Sequence, residues 1–143
     1  LWCWGQYDPY DSLSTNNNLP REVAPAGSYV DVSVGTQSLC GLAADGAAWC
    51  RGWTTESATR HVPIRVQSPV PFVKLEGAWD SFHCGITADG AAWCWTAVAQ
   101  SSYVAEARLP ALRFTKIAVG PYSACGRTAD GRSHCWYQRP VYP

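Results

Sequence analysis

The sequence predicts an all-β fold built from a repeated antiparallel unit. Three observations carry that expectation. First, three segments share one pattern, Cys, nine residues, Cys, with Ala-Asp-Gly in the middle: Cys40 to Cys50, Cys84 to Cys94 and Cys125 to Cys135. Second, these segments recur at offsets of 44 and then 41 residues, and a period in the forties is that of propeller blades or solenoid arrays. Third, Tyr29-Val30-Asp31-Val32-Ser33-Val34 alternates with strand period, and its β-branched and aromatic residues suit a pleated, half-buried surface.

The elements follow in chain order. Residues 1–5 (Leu1, Trp2, Cys3, Trp4 and Gly5) align with the second strand of a hairpin. The first strand, the turn and the cysteine partner of that hairpin lie outside residues 1–143. A polar stretch follows, with Asp8, Asp11, Asn16, Asn17 and Asn18. It lacks the regular oxygen spacing and closing Glu of a calcium loop. Pro20-Arg21-Glu22-Val23 then matches Pro63-Ile64-Arg65-Val66, and Tyr29-Val30-Asp31-Val32 matches Phe72-Val73-Lys74-Leu75 and Phe114-Thr115-Lys116-Ile117. The resulting division is a half-hairpin and connecting loop at 1–23, then repeats at 24–66, 67–110 and 111–143.

Each cysteine-bounded segment reads as a hairpin. Asp-Gly is a hairpin turn signal, and a three-residue loop Ala44-Asp45-Gly46 puts Gly46 in the left-handed conformation that glycine tolerates. Counting outward from Asp45 pairs residue 43 with 47, 42 with 48, 41 with 49 and 40 with 50. If the closing pair 43/47 is hydrogen-bonded, 40/50 is a non-hydrogen-bonded pair, about 4.5 Å apart at Cα and within disulfide range. The expectation is three cross-strand disulfides, Cys40–Cys50, Cys84–Cys94 and Cys125–Cys135, with Cys3 left over for an external partner. Free thiols and a metal site are the rival readings. Nine intervening residues is not zinc-knuckle spacing, and His83 and His134, each adjacent to a cysteine, point to the opposite strand face.

The pattern resembles the RCC1-like repeat. That family combines an aromatic-led strand ending near Gly, a strand with Cys or His, Asp-Gly, and a strand closing in Cys-Trp-Gly. The closing part stands here as Trp2-Cys3-Trp4-Gly5, Trp49-Cys50-Arg51-Gly52, Trp93-Cys94-Trp95-Thr96 and His134-Cys135-Trp136-Tyr137. The family's Asn-x-x-Gly-Gln-Leu-Gly segment is absent. The resemblance covers nearly the whole chain and implies a β-propeller of four-stranded blades. Its Cys-paired form resembles the secreted and receptor-ectodomain members more than the nuclear exchange factor. Three and a half repeats do not make a closed ring alone, because seven blades need roughly 300 residues. Residues 1–143 are therefore expected to be part of a longer protein, one of several chains in a ring, or a unit of an open head-to-tail array.

Composition bounds the function. The chain has 143 residues, 11 basic and 11 acidic side chains, seven cysteines, eight Trp and seven Tyr. Balanced charge without a Lys/Arg cluster argues against nucleic-acid binding, and no stretch is apolar enough to span a bilayer. The cysteine content points to a secreted or extracellular location. Asp45, Asp89 and Asp130 are turn residues. No Gly-x-Ser-x-Gly elbow, phosphate loop or His-Glu-x-x-His motif occurs, so neither an enzyme nor a cofactor is expected. Trp49, Trp93, Trp95 and Trp136 recur at repeat positions and read as inter-blade core. Trp53, Trp79, Tyr103, Tyr7 and Tyr10 lie outside those positions, and are either ordinary packing or surface anchors for a protein or glycan ligand. The expected function is a non-catalytic extracellular assembly module whose strand at residues 1–5 completes a blade with another chain or chain segment. The alternative is a recognition propeller.

Overall fold

The computed structural model describes residues 2–3, 21–22, 28–35, 38–52, 63–77, 81–97 and 102–137. These residues build antiparallel sheets that repeat along the chain. β1 (Trp2–Cys3) pairs with β2 (Arg21–Glu22). β3 (Tyr29–Val34), β4 (Ser38–Ala43), β5 (Ala48–Gly52) and β6 (Ile64–Gln67) form a four-stranded meander, blade 1. β7 (Lys74–Gly77), β8 (Phe82–Ile86) and β9 (Ala92–Thr96) begin blade 2. Between them and its fourth strand, β11 (Glu106–Arg108), lies the short β10 (Tyr103–Val104). β12 (Phe114–Val119), β13 (Ser123–Thr128) and β14 (Ser133–Tyr137) form blade 3.

The register repeats with the sequence. Cys50 faces Ile64 and Cys94 faces Glu106 across the third and fourth strands of blades 1 and 2. Cys3 faces Arg21 in the same way. β1 and β2 are therefore the third and fourth strands of a blade that precedes blade 1. The neighbour found for Trp2–Cys3 within the chain lies on the fourth-strand side, not on the hairpin side that the sequence leaves open.

Each Asp-Gly turn closes as a three-residue loop. Ala43, Thr87 and Thr128 donate their N–H to the carbonyls of Ala47, Ala91 and Arg132 at 2.9, 3.0 and 2.9 Å. Gly46, Gly90 and Gly131 sit at φ of 82°, 86° and 85°, where a Cβ would be strained. Asp45 and Asp130 accept from the backbone two residues on, at 3.0 and 3.3 Å. Thr87 and Thr128 donate their hydroxyls to Asp89 and Asp130. These bonds hold both carboxyls below the usual carboxylate range. The aspartates are therefore occupied in turn formation.

One strand crosses the repeat boundary. β10 runs parallel to β6, Tyr103 facing Val66 and Val104 facing Gln67, as a fifth strand on the blade 1 sheet. The chain then crosses at Ala105, whose N–H donates to the Gln67 carbonyl at 2.9 Å, and joins blade 2. The reason is burial: Tyr103 is 1% exposed within the core between the blades. Tyr103 is thus a core residue, which corrects the reading of it as a surface-binding aromatic.

Candidate assembly interface

Two cores lie between successive blades, and they are built alike. One joins Cys40, Leu42, Ala48, Cys50 and Val66 of blade 1 to Phe72, Leu75 and Trp95 of blade 2. The other joins Phe82, Cys84, Ile86, Ala92 and Cys94 of blade 2 to Phe114, Ile117 and Trp136 of blade 3. Strand alternation produces this division. In blades 1 and 2 the disulfide faces the following blade, and in blades 2 and 3 the residue after the second cysteine, Trp95 or Trp136, faces the preceding one. Blades 1 and 2 therefore each present a socket to the next blade, and blades 2 and 3 each present knobs to the one before.

Polar contacts set the distance between blades. Trp95 Nε1 donates to Cys50 Sγ at 3.2 Å. The Phe72 N–H donates to the Gly46 carbonyl at 2.9 Å, and Phe114 repeats this on Gly90 at 2.8 Å. The Leu75 N–H donates to Asp31 Oδ2 at 2.8 Å. Arg113 pairs with Asp89 across the second interface at 3.0 Å. The recurring Cys-Gly dipeptide has a steric cause. A Cβ on Gly85 would lie 2.6 Å from the Phe72 ring, and one on Gly126 would lie 2.3 Å from the Phe114 ring. Only glycine lets the knob ring lie flat on its own sheet.

His83 links blades 1 and 2. Its Nδ1 is 2.9 Å from Ser33 Oγ and its Nε2 is 2.6 Å from Ser38 Oγ. The ring stacks on Trp95 at 6.3 Å. A hydroxyl against an imidazole has the outline of a nucleophile and its base. Here all three residues are buried and the imidazole is fully enclosed. Burial lowers its pKa to about 4, so at neutral pH it is a poor proton acceptor. One serine donates to the ring and the other accepts from it, and the trio acts as an inter-blade bridge.

The structure contains the disulfides Cys40–Cys50, Cys84–Cys94 and Cys125–Cys135, with Cα atoms 4.1, 4.0 and 4.0 Å apart. They take six of the seven cysteines, and Cys3 is the seventh. Of residues 1–5, the backbone of Trp2 and Cys3 is described; Leu1, Trp4 and Gly5 lie outside the described residues, as do Trp53, Trp79, Tyr7 and Tyr10. Two exposed aromatics escaped the sequence reading. Tyr122 and Tyr137 are 67% and 80% exposed, and the pairing of Ser123 with Tyr137 places them at one end of blade 3. The available signal was strand alternation, which puts Tyr137 on the open disulfide face beside Cys135.

The third disulfide differs from the other two. Cys40, Cys50, Cys84 and Cys94 are fully enclosed, whereas Cys125 is half-buried and Cys135 exposed. Thiol access controls exchange rates. Under mild reduction followed by alkylation and mass mapping, Cys125 and Cys135 are expected to label at least about tenfold faster than the other four. Equal labelling would show that enclosure by the next blade does not protect these bonds.

Solved structures share this architecture. Human WBSCR16 superimposes with a TM-score of 0.64 at 17% identity, over 85% of this chain and 37% of that one. A chain in the complex of Kap60 with yeast RCC1 (Prp20) gives 0.72 at 11% identity, over 95% and 39%. The fold is that of RCC1-like β-propeller blades. The CRINKLY WD40 ectodomain of the Arabidopsis thaliana receptor kinase ACR4 also matches, with 0.54 at 19% identity, over 78% of this chain and 37% of that one. The chain thus spans less than two fifths of the length of each of these propellers. No protein-family model matches it, and neither does any curated protein.

Proposed function

We propose that the protein is a non-catalytic structural and assembly module of RCC1-like blades, secreted or held at the cell surface. Its end blades are completed by strands from outside residues 1–143, supplied by another chain in a head-to-tail oligomer or filament, or by another segment of the same protein. One observation carries this reading. Among the described residues, blades 1 and 2 have their four strands in the same register, whereas the sheet before them has two and the sheet after them three. β1 and β14 therefore present backbone edges that in blades 1 and 2 are paired, and an open edge is a template for strand addition. Three disulfides in a small β protein support the oxidising compartment.

Hydrogen exchange on the assembled protein tests the reading. The edge amides of β1 and β14 are expected to be protected like those of β4 and β5. Exchange at loop rates would refute completion of the end blades. Sedimentation then separates the two sources, because mass that grows with concentration identifies another copy as the donor. Tyr122 and Tyr137 support a second reading, recognition of a protein or glycan at that end of blade 3. Its test is a carbohydrate and protein array on which Tyr137→Ala loses a signal the parent gives.

A further inference from the structure

The two outer faces of the stack are chemically different, and the repeat shows how. Leu75 and Ile117 hold one position in the first strands of blades 2 and 3, and they are 3% and 1% exposed because each presses on the preceding blade. Val32 holds that position in blade 1 and is 46% exposed. Val34 is 61% exposed, while its counterpart Val119 packs against the core of the second interface. Blade 1 therefore carries knobs with no socket under them among the described residues.

At the other end, blade 3 has a socket in the wrong chemistry. Leu42 and Ile86 lie two residues after the first cysteine of their hairpins and are buried beneath the next blade's knobs. The corresponding residue in blade 3 is Arg127. Ala48 and Ala92 correspond to Ser133, and Thr96 to Tyr137. Arg127, Ser133 and Tyr137 are all exposed on the face that carries Cys135. Burying an aliphatic knob against Arg127 would desolvate its guanidinium. The face of blade 3 in a second copy would therefore meet Val32 and Val34 with polar side chains, and its two apolar sockets are already filled.

We infer that the free face of β3, centred on Val32 and Val34, docks one kind of partner. That partner is a β-strand that adds to the open edge of β1 and reads Cys-Gly-aliphatic, as Cys40-Gly41-Leu42 and Cys84-Gly85-Ile86 do. The β4–β5 register sets the geometry, since Cys40 faces Cys50 and Gly41 faces Trp49. A strand in that register on β1 sets its cysteine opposite Cys3, its glycine opposite Trp2, and its aliphatic residue on the side that Val32 covers. The inference rests on the completion of the end blades proposed above and adds the side and the chemistry of the donor strand.

The test uses two synthetic strands, each supplied as its mixed disulfide with glutathione: Ser-Leu-Cys-Gly-Leu-Ala, copied from β4, and Ser-Ala-Cys-Gly-Arg-Thr, copied from β13. In the exchange the Cys3 thiolate attacks the peptide's sulfur, a Cys3–peptide disulfide forms, and one glutathione thiol is released. Intact mass and peptide mapping of residues 1–143 read the yield at equilibrium. The β4 strand is expected to be captured at least about tenfold more than the β13 strand, and Val32→Asp is expected to abolish the preference. Val34→Asp, at a more exposed site, repeats the test if near-ultraviolet circular dichroism shows that Val32→Asp is unfolded. Equal capture of both strands, or a preference that survives both substitutions, overturns the proposal. So does a peptide-free dimer that either substitution dissolves, because the face would then belong to a second copy. Edge protection by hydrogen exchange is a separate measurement, so loss of the strand preference leaves the completion of the end blades standing or falling by itself.

Discussion

Trp95→Ala lowers stability by about 3–5 kcal/mol, the range for truncating a buried tryptophan that leaves a cavity. The side chain is 3% exposed, stacks on Phe72 at a ring separation of 5.5 Å, covers His83 and donates to the Cys50 sulfur. It therefore ties the blade 2 hairpin to the blade 1 disulfide. Urea unfolding with an unchanged slope is the measurement, because the shift in midpoint then reports stability directly. Leu75→Ala is expected to cost about 2–5 kcal/mol by the same mechanism. Val32→Ala, at the equivalent position of blade 1, costs less than about 1 kcal/mol because half of the side chain is already in water. Similar losses at Leu75 and Val32 would mean that inter-blade packing does not govern stability at this position.

Acidification from pH 6.5 to 4 removes about 3 kcal/mol of stability through His83 alone. The sign follows from the burial. His83 is neutral in the fold, with a pKa of about 4 against an ordinary 6.5. The unfolded chain therefore binds more protons between those values, and stability rises with pH across the window. The contribution is fully present above pH 6.5, falls as the pH drops, and is gone near pH 4. Asp89 and Asp130 act in a lower window, since their carboxyls are held below the usual range and their contribution is lost only as the pH falls beneath it. Both are exposed, so their share is small. Stability measured against pH for the parent and His83→Gln separates the effects. The variant is expected to lose most of the slope between pH 4 and 6.5. A parental slope in the variant would place the titration elsewhere.

The hairpins were legible because everything that shapes them is local. Asp45, Gly46 and the two flanking cysteines lie within eleven residues, and strand geometry converts that spacing into a pairing without reference to the rest of the chain. Trp95 and Trp136 were legible for a related reason: a large aromatic recurring right after the second hairpin cysteine suits packing between successive units, and both lie in the cores there. Tyr103 was not legible. Its side chain is buried by a strand that leaves its own repeat to lie parallel to β6, and no periodicity in the sequence marks that excursion. The Ser33–His83–Ser38 bridge was equally hidden, since its members are 50 and 45 residues apart and both Ser33 and His83 stand at positions where the other repeats carry different residues.

The sequence by itself determined the unit: an antiparallel hairpin turned by Asp-Gly and closed by a disulfide, repeated about every 43 residues. It also determined that one cysteine has no counterpart among the other six. Tertiary structure decided which side of each unit is a socket and which carries knobs, and therefore that Val32 and Leu75, aliphatic residues at one repeat position, have opposite surroundings. Turn chemistry and cross-strand pairing act over a few residues, and a single strand contains their cause. Burial is a property of what lies on the far side of the sheet, so it exists only after the blades have stacked.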